Sequence, residues 1–595
     1  MKKFNLPYSI KLRLIVSLSW LSMTSCTSIQ EQEQHMQMSG SHEVNTAQLQ
    51  EKLPQSDKKY PDMLKSAEEY LLSGQLSAAE SLLKEIKINE IKSHELKAYY
   101  LYLSAQSATQ RHQWTKALQL IEQAQKQKPL IIEQEISLLQ LAVELYNTTN
   151  QPIKQAAALH AINEIEPSSN LDARIWYTLQ PVSEDLLKQQ LKKTRDKNFN
   201  GWLELSYIGK RYADLPQDLQ KKVNQWQQDY PEHPHYENLP DDINRALHTQ
   251  VYNPKKVGVL LPAKATSASR AIRSGIIAST LKNKARSLEL HFYDTSEGGL
   301  EAYNRAEQDE CEFIIGPLLK EHVEEVASSR SNIIPQLMLN MPDGVVNDPD
   351  RYYFSLSPTE EAAQTAQYFK EQGIKNPLII ANSRSSSKKM VESFTQAWEK
   401  IYDEQPKVYY YSNNKEIKTK VQDALSVKES KARIRAIKNT FGFQLKADFR
   451  SRRDIDAIYL LTQGDEVKLL KPFVDVNTSV FAEPISTYAS YRSHVKSKNG
   501  QYPRELNKMR INTMPWLLTE STELSLIEEW SNLEKRLYAM GYDSISLIDK
   551  LAQMKASQSY YFEGRTGTMN IDHQGVIHRK QQWAKFYSNG KLRKL

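Results

Sequence analysis

Few residues in this chain have side chains that could do chemistry, and they are widely spaced. Two cysteines occur in 595 residues, Cys26 and Cys311. Cys26 closes a short apolar run, LIVSLSWLSMTSC from Leu14, with small Thr24 and Ser25 just before it. A thiol placed there follows the point where an export signal is cut. Cys311 lies in ECEFIIGP beside an apolar stretch and reads as a buried small hydrophobe rather than a reactive thiol. The thirteen histidines are scattered. His233 and His235 stand in a proline-rich stretch and read as an exposed loop, not a metal site. No HExxH, GxSxG, Walker A, GxGxxG or paired CxxC pattern occurs, so the sequence gives no support to an enzyme. One segment is locally basic, with Arg433, Arg435, Lys438, Lys446, Arg450, Arg452 and Arg453 against Asp448. It reads as a solvated helix and loop. The sharper alternative is an insertion that meets an acidic patch on a partner through Arg450, Arg452 and Arg453.

The elements that carry these residues begin with residues 1–25, read as a signal peptide. Lys2, Lys3, Lys11 and Arg13 precede the apolar run, no acidic residue does, and the run is too short to span a bilayer. No later segment is apolar enough to cross one. The formal net charge is +7; without those four basic residues it rests on 74 basic against 71 acidic residues. That near balance does not support a nucleic-acid partner. The run before Cys26 resembles the lipobox of bacterial lipoproteins, with Met23 where that pattern prefers Leu. The resemblance implies cleavage before Cys26, a diacylglyceryl group on its sulfur and an acyl group on its amine. Membrane attachment would then be through Cys26. Residues 26–55 form the lipidated polar tether. They are too poor in apolar groups to order themselves, and could reach ~30 Å as a coil or ~100 Å if stretched. Thr27, rather than Asp, follows the cysteine, which by the same resemblance implies the outer membrane.

Residues 56–247 carry helical periodicity throughout. GQLSAAESLLKEI begins at Gly74 and HQWTKALQLIEQA at His112, 38 residues later. Ala79 aligns with Ala117, and a weaker third copy places Ile153, Ala156 and Leu159 one residue further on. Pro129 and Pro167 are again 38 apart. This resembles degenerate tetratricopeptide repeats, in which each helix pair hides its apolar face on the next and a concave face is left for a peptide or protein. Trp176, Trp202 and Trp226 read as packing residues. Pro231, Pro234 and Pro240 mark a boundary, with Ile243–Leu247 as one more short helix.

Residues 248–595 alternate strands and helices, which predicts parallel sheets covered on both faces. Strands are expected at KKVGVLLP, LELHFYD, FIIGPL and IIPQLMLN. The pattern restarts at YYFSLSP (Tyr352) and continues through NPLIIAN, KVYYYS, AIYLL and MRINTMP. Thr568–Ile571 and Val576–Arg579, joined by DHQG, read as a hairpin. Two such units resemble the type I periplasmic-binding-protein fold. Ligands of that fold bind between the lobes at the carboxyl ends of strands. Here that position makes Lys264, Ser296, Gly316 and Asn340 the cleft candidates, although Gly316 reads better as a chain turn.

The fold class is thus multidomain: an all-α tetratricopeptide-like repeat domain followed by an α/β two-lobed domain. With Cys26, this combination resembles the LpoA family of outer-membrane lipoproteins. Its landmarks are VGVLLP, IIGPLLK, RSRRDIDAIYLL from Arg450, KPFVDVN from Lys471, LYAMGYDSISL from Leu537 and GTMNID from Gly567. The resemblance implies a regulator of peptidoglycan synthesis without cofactor, held on the periplasmic side of the outer membrane. It implies binding to a class A, 1A-type bifunctional penicillin-binding protein and stimulation of its crosslinking. The competing expectation is a lipid-anchored solute-binding protein that takes an amino acid or peptide between its lobes.

Overall fold

The computed structural model describes residues 53–595 except 214, 264–265, 283–286, 330–332, 346, 403, 442–446, 480–483, 495–501 and 558–559. Cys26, its signal and most of its tether lie outside the described residues. The chain divides into two compact units, the first ending at Val182 and the second running Ser183–Leu595.

In the first unit, helices pair in sequence: α1 (Tyr60–Leu72) with α2 (Leu76–Glu85), α3 (His94–Gln110) with α4 (Trp114–Gln125), and α5 (Ile132–Thr148) with α6 (Pro152–Ile165). Helix α7 (Ser169–Leu179) follows. Each pair turns on one residue with left-handed backbone, Gly74 (φ 72°), His112 (φ 57°) and Asn150 (φ 52°). The next amide reaches back five residues, Gln75 to Tyr70 O, Gln113 to Ala108 O and Gln151 to Tyr146 O, each at 2.8 Å. That is a Schellman ending, and it keeps the period of 38 exact in the turns. The packing register does not keep it. Ala79 and Ala117 are fully buried at equivalent positions, but in the third pair the buried residue is Ala156, one further along. The tetratricopeptide-like repeats are therefore fixed by their turns and adjusted by their helix faces.

The second unit opens with α8 (Glu184–Leu191), α9 (Lys197–Arg211), α10 (Pro216–Asp229) and α11 (Asp241–His248). Trp202 and Trp226 are buried, as expected. His233 departs from the exposed loop expected of it. It is buried, with its ring 4.4 Å from Trp202 and 4.8 Å from Trp226. A β-carbon at Gly201 would stand 2.7 Å from the His233 ring, so the absent side chain makes room for it.

The strands are β1 (Lys256–Leu261), β2 (Glu289–Asp294), β3 (Phe313–Ile315), β4 (Gln336–Met338), β5 (Arg351–Phe354), β6 (Pro377–Asn382), β7 (Lys407–Tyr411), β8 (Ala457–Leu461), β9 (Ser486–Ala489), β10 (Arg510–Thr513), β11 (Phe562–Glu563), β12 (Thr568–Ile571), β13 (Val576–Lys580), β14 (Gln582–Phe586) and β15 (Leu592–Lys594). The helices among them are α12 (Thr266–Lys282), α13 (Gly299–Gln308), α14 (Lys320–Ser328), α15 (Pro358–Glu371), α16 (Ser385–Tyr402), α17 (Asn414–Ala424), α18 (Val427–Phe441), α19 (Glu466–Asn477), α20 (Thr522–Leu526), α21 (Asn532–Leu547) and α22 (Leu551–Ala556). One sheet has the order β11-β12-β13-β5-β4-β3-β1-β2 and the other β15-β14-β10-β9-β8-β6-β7. Both are parallel except at the β11–β12–β13 and β10–β14–β15 edges. Strands β3 to β6 and β8 are buried along their whole length, as strands with helices on both faces must be.

This is the expected two-lobed α/β architecture, with two differences in detail. The YYFSLSP strand does not restart the pattern. It is β5 of the first sheet, paired to β4 and β13, and the chain crosses to the second lobe just after it. Strands β9, β14 and β15 had no clear signature in the sequence. The second crossing runs between β10 and α21, and the third is Gln581 alone, between β13 and β14. In the first lobe α12 and α21 pack backbone to backbone. A β-carbon at Gly275 would lie 2.0 Å from Tyr538 O, and one at Gly541 2.2 Å from Ile272 O. Helix α11 is tied to α22, where Arg245 Nε donates to Ala556 O at 2.9 Å.

Candidate functional site: the interlobe cleft and the basic pole of the second lobe

The cleft candidates of the first lobe follow consecutive strands along one sheet edge. Lys264 lies outside the described residues. Ser296, exposed after β2, donates through both its amide (2.9 Å) and its Oγ (2.6 Å) to Asp294, which also accepts the Ala263 amide at 2.7 Å. Gly316 has left-handed φ of 103°, and a β-carbon there would stand 2.3 Å from Leu260 O. Its role is the turn beside β1. Asn340 donates to Leu318 O at 3.0 Å and accepts the Met341 amide at 2.9 Å. Of the described three, Ser296 is held within its own loop, Gly316 turns the chain, and Asn340 ties its loop to the one that follows β3.

On the facing edge of the second lobe several polar groups are likewise paired to one another. Glu466 accepts from Asn382 (3.1 Å), Tyr411 (3.0 Å) and Thr462 (3.2 Å), and pairs with Arg384 at 2.9 Å. Burial pushes its carboxyl up, but those hydrogen bonds and the Arg384 charge outweigh it and hold the carboxyl below its usual range. Glu466 thus gathers four groups of this edge, in the wall of a hollow of about 1120 Å³ that Asn413, Lys415 and Lys468 also line.

Two adjacent glutamates at the start of α15, in the second lobe, fasten it to the first. Glu361 Oε1 accepts from Arg536 of α21 (2.5 Å), Arg579 of β13 (3.0 Å) and Gln581 of the third crossing (2.6 Å). Glu361, Arg536 and Arg579 are all buried. Arg579 Nε also donates to Ser355 O, at the first crossing, at 3.1 Å. Arg536 lies 3.6 Å over the Tyr491 ring. Beside them, His578 of β13 bridges Glu360 and Asp572 at 3.0 Å each, and these two carboxylates raise its pKa to about 10. The first and third crossings therefore meet at charged groups that are paired to one another. A solute receptor closes by letting its crossings flex; these are cross-linked.

The three arginines expected at a partner surface lie at the other end of the second lobe. Helix α17 runs back from the carboxyl end of β7, so α18 starts, and residues 450–456 return, at the amino ends of the strands. The backbone there is held at two points: the Arg450 amide donates to Ser430 Oγ (2.8 Å) and the Arg452 amide to Leu425 O (3.1 Å). Arg452 is largely spent on Asp454, whose carboxylate raises the pKa of the guanidinium. Arg450 and Arg453 are exposed. Arg452 and Arg453 line a hollow of about 650 Å³ with Arg510, Asp456, Gln372 and Tyr488. Arg510, which donates to Tyr488 OH at 2.8 Å, was read only as part of a strand. No local signal could have placed it beside residues 57 positions earlier in the chain.

The chain matches the family model described as "LppC putative lipoprotein" over residues 42–590. It belongs to the LppC lipoprotein family. A relative from Aliivibrio fischeri, called penicillin-binding protein activator LpoA, is 30% identical over 459 residues, 74% of this chain and 75% of that one. The protein of the same name from Vibrio cholerae is 28% identical over 505 residues, 82% and 83% of the two chains. The crystal structure of full-length LpoA from Haemophilus influenzae aligns with a TM-score of 0.56 at 17% identity, covering 93% of this chain and 98% of that one. That likeness shows a shared fold from the helical repeats through both lobes. In this chain the landmark LYAMGYDSISL is the α12–α21 contact at Gly541, and RSRRDIDAIYLL runs from the basic pole into β8. No described helix is long and apolar enough to cross a membrane.

Proposed function

We propose that this protein activates peptidoglycan crosslinking as an accessory subunit. It is lipidated on Cys26 and held on the periplasmic side of the outer membrane, where it binds a 1A-type class A penicillin-binding protein. The observation that carries this reading is the match over three-quarters of both chains to a relative named as a penicillin-binding protein activator. The cleft supports it, because several of its edge groups are paired to one another and its crossings are tied together by Glu361 and His578. The protein has no catalytic task of its own in this reading. Lipid at Cys26 sets where the lobes can reach, the tether and repeats give the reach, and the lobes carry the stimulating contact. Arg450 and Arg453, exposed at the basic pole, are partner-contact residues, with Arg452 holding the loop that presents them. A single acyl chain would bind a membrane only reversibly, so the several chains implied for Cys26 are needed for a stable anchor.

The test mixes the full chain after Cys26 with the cognate synthase and lipid-linked precursor and counts crosslinked product. A rise in crosslinking over the synthase alone is expected. No rise, together with tight binding of an amino acid or small peptide, would replace this reading with solute capture.

A further inference from the structure

Helix α18 is a second helix between β7 and β8, and little of it is buried. Of its 15 residues only Val427 and Ser430 are buried. Positions 427, 430, 434, 437 and 441 follow a 3-4-3-4 spacing, the narrow seam by which one helix meets another. The first two seat the helix on the lobe. The rest of the seam runs off the body: Ile434 is half-buried, Ile437 is 43% exposed and Phe441 is 78% exposed. The flanks are cationic, with Lys431, Arg433, Arg435 and Lys438 along the helix and Glu429 its one acidic residue.

We infer that α18 is a docking helix, whose Ile434–Ile437–Phe441 seam enters an apolar groove with an acidic rim on the partner synthase. This rests on the activator reading and names the surface that reading leaves open. A second copy of this chain would bring two sets of like charges together, which disfavours self-association. A lipid surface calls for a broad apolar face, whereas this seam is a single row with Lys438 beside it. A groove rimmed by carboxylates matches both the width of the seam and the charge along it.

The experiment uses the full chain after Cys26 in three forms: unaltered, I437D/F441D and K431E/R435E. Binding to the cognate synthase, crosslinking, thermal melting, mass in solution and sedimentation with phosphatidylglycerol-containing vesicles are measured for each. The seam variant is expected to bind about tenfold or more weakly with an unchanged melt, since buried aromatic and aliphatic anchors dominate such interfaces. The charge variant is expected to associate more slowly, with a deficit that shrinks as salt rises. Unaltered protein that binds while both variants bind equally well overturns the docking helix and leaves the activator reading intact. Unaltered protein that neither binds nor stimulates overturns both. A lower melt in the seam variant, a dimer that it dissolves, or vesicle binding that it abolishes while synthase binding persists would each assign the seam to another occupant and overturn the inference.

Discussion

Replacing Glu361 with Gln tests the idea that the lobes are locked by charge. Glu361 holds Arg536 at 2.5 Å, Arg579 at 3.0 Å and Gln581 at 2.6 Å, and all three ionic groups are buried. At an effective dielectric of ~20, unit charges with centres ~4 Å apart attract by ~4 kcal/mol. Two such attractions are offset by the desolvation of three ions and by repulsion between the guanidiniums, so the intact cluster stabilises little on balance. E361Q removes both attractions but keeps the desolvation of the two guanidiniums and their repulsion: two buried cations are left on one neutral amide. The expected loss is about 3–5 kcal/mol. R536M should cost less, because Arg579 and Gln581 still donate to Glu361 Oε1 and the two remaining charges balance. Hydrogen exchange followed by mass spectrometry on α15, α21 and β13 reads this directly. Where exchange needs opening of the lobe contact, E361Q should accelerate it by roughly two to three orders of magnitude, since each ~1.4 kcal/mol is tenfold. The helical repeats of the first unit should be unaffected. Acceleration of less than tenfold, or a larger effect for R536M than for E361Q, would refute the reasoning.

His578 gives a pH dependence whose sign is fixed by its raised pKa. Folding favours its protonated form, so its stabilisation is complete below about 6.5, the value in an unfolded chain, and is lost as pH rises toward about 10. Melting temperatures of the native protein and H578Q, taken across that window, should converge at the alkaline end. Gly541→Ala should destabilise the first lobe by about 1–3 kcal/mol or more, because the added methyl meets the Ile272 carbonyl and not a movable side chain; calorimetry of the purified chain checks this. Cys26→Ala should release the protein from the outer membrane in fractionation, while the purified soluble chain stimulates the synthase as before. A variant that still fractionates with that membrane would exclude the anchor.

The reading of the sequence was strongest where the information is local. Gly74 and the helical runs around it marked a repeat because a turn needs a left-handed residue within a few positions of the helix it ends. VGVLLP, NPLIIAN and AIYLL marked strands because burial on both faces demands unbroken apolar runs. Cys311 was legible as a buried thiol for the same reason. Tyr352–Phe354 is recognisable as a strand but reads as the start of the second unit, whereas it pairs with β4 and with β13, more than 200 residues further on, in the first sheet. Strand β9 reads STYA and β14 reads QWAKF; each is short and mixed, and pairing within the sheet, not periodicity, makes it a strand.

The same division runs through the candidate site. The sequence by itself determined a helical array with a period of 38, two α/β units and a basic segment at Arg433–Arg453, since composition and spacing act over tens of residues at most. Only the tertiary structure decided what those residues do. It held Ser296 within its own loop, tied Asn340 to the loop after β3, turned the chain at Gly316, paired Arg452 with Asp454 and set Arg453 near Arg510. It buried His233 between two tryptophans, and it brought Glu361 to Arg536 and Arg579 across 175 and 218 positions. Whether a charged side chain is a free contact or a buried strut depends on which distant segments fold against it.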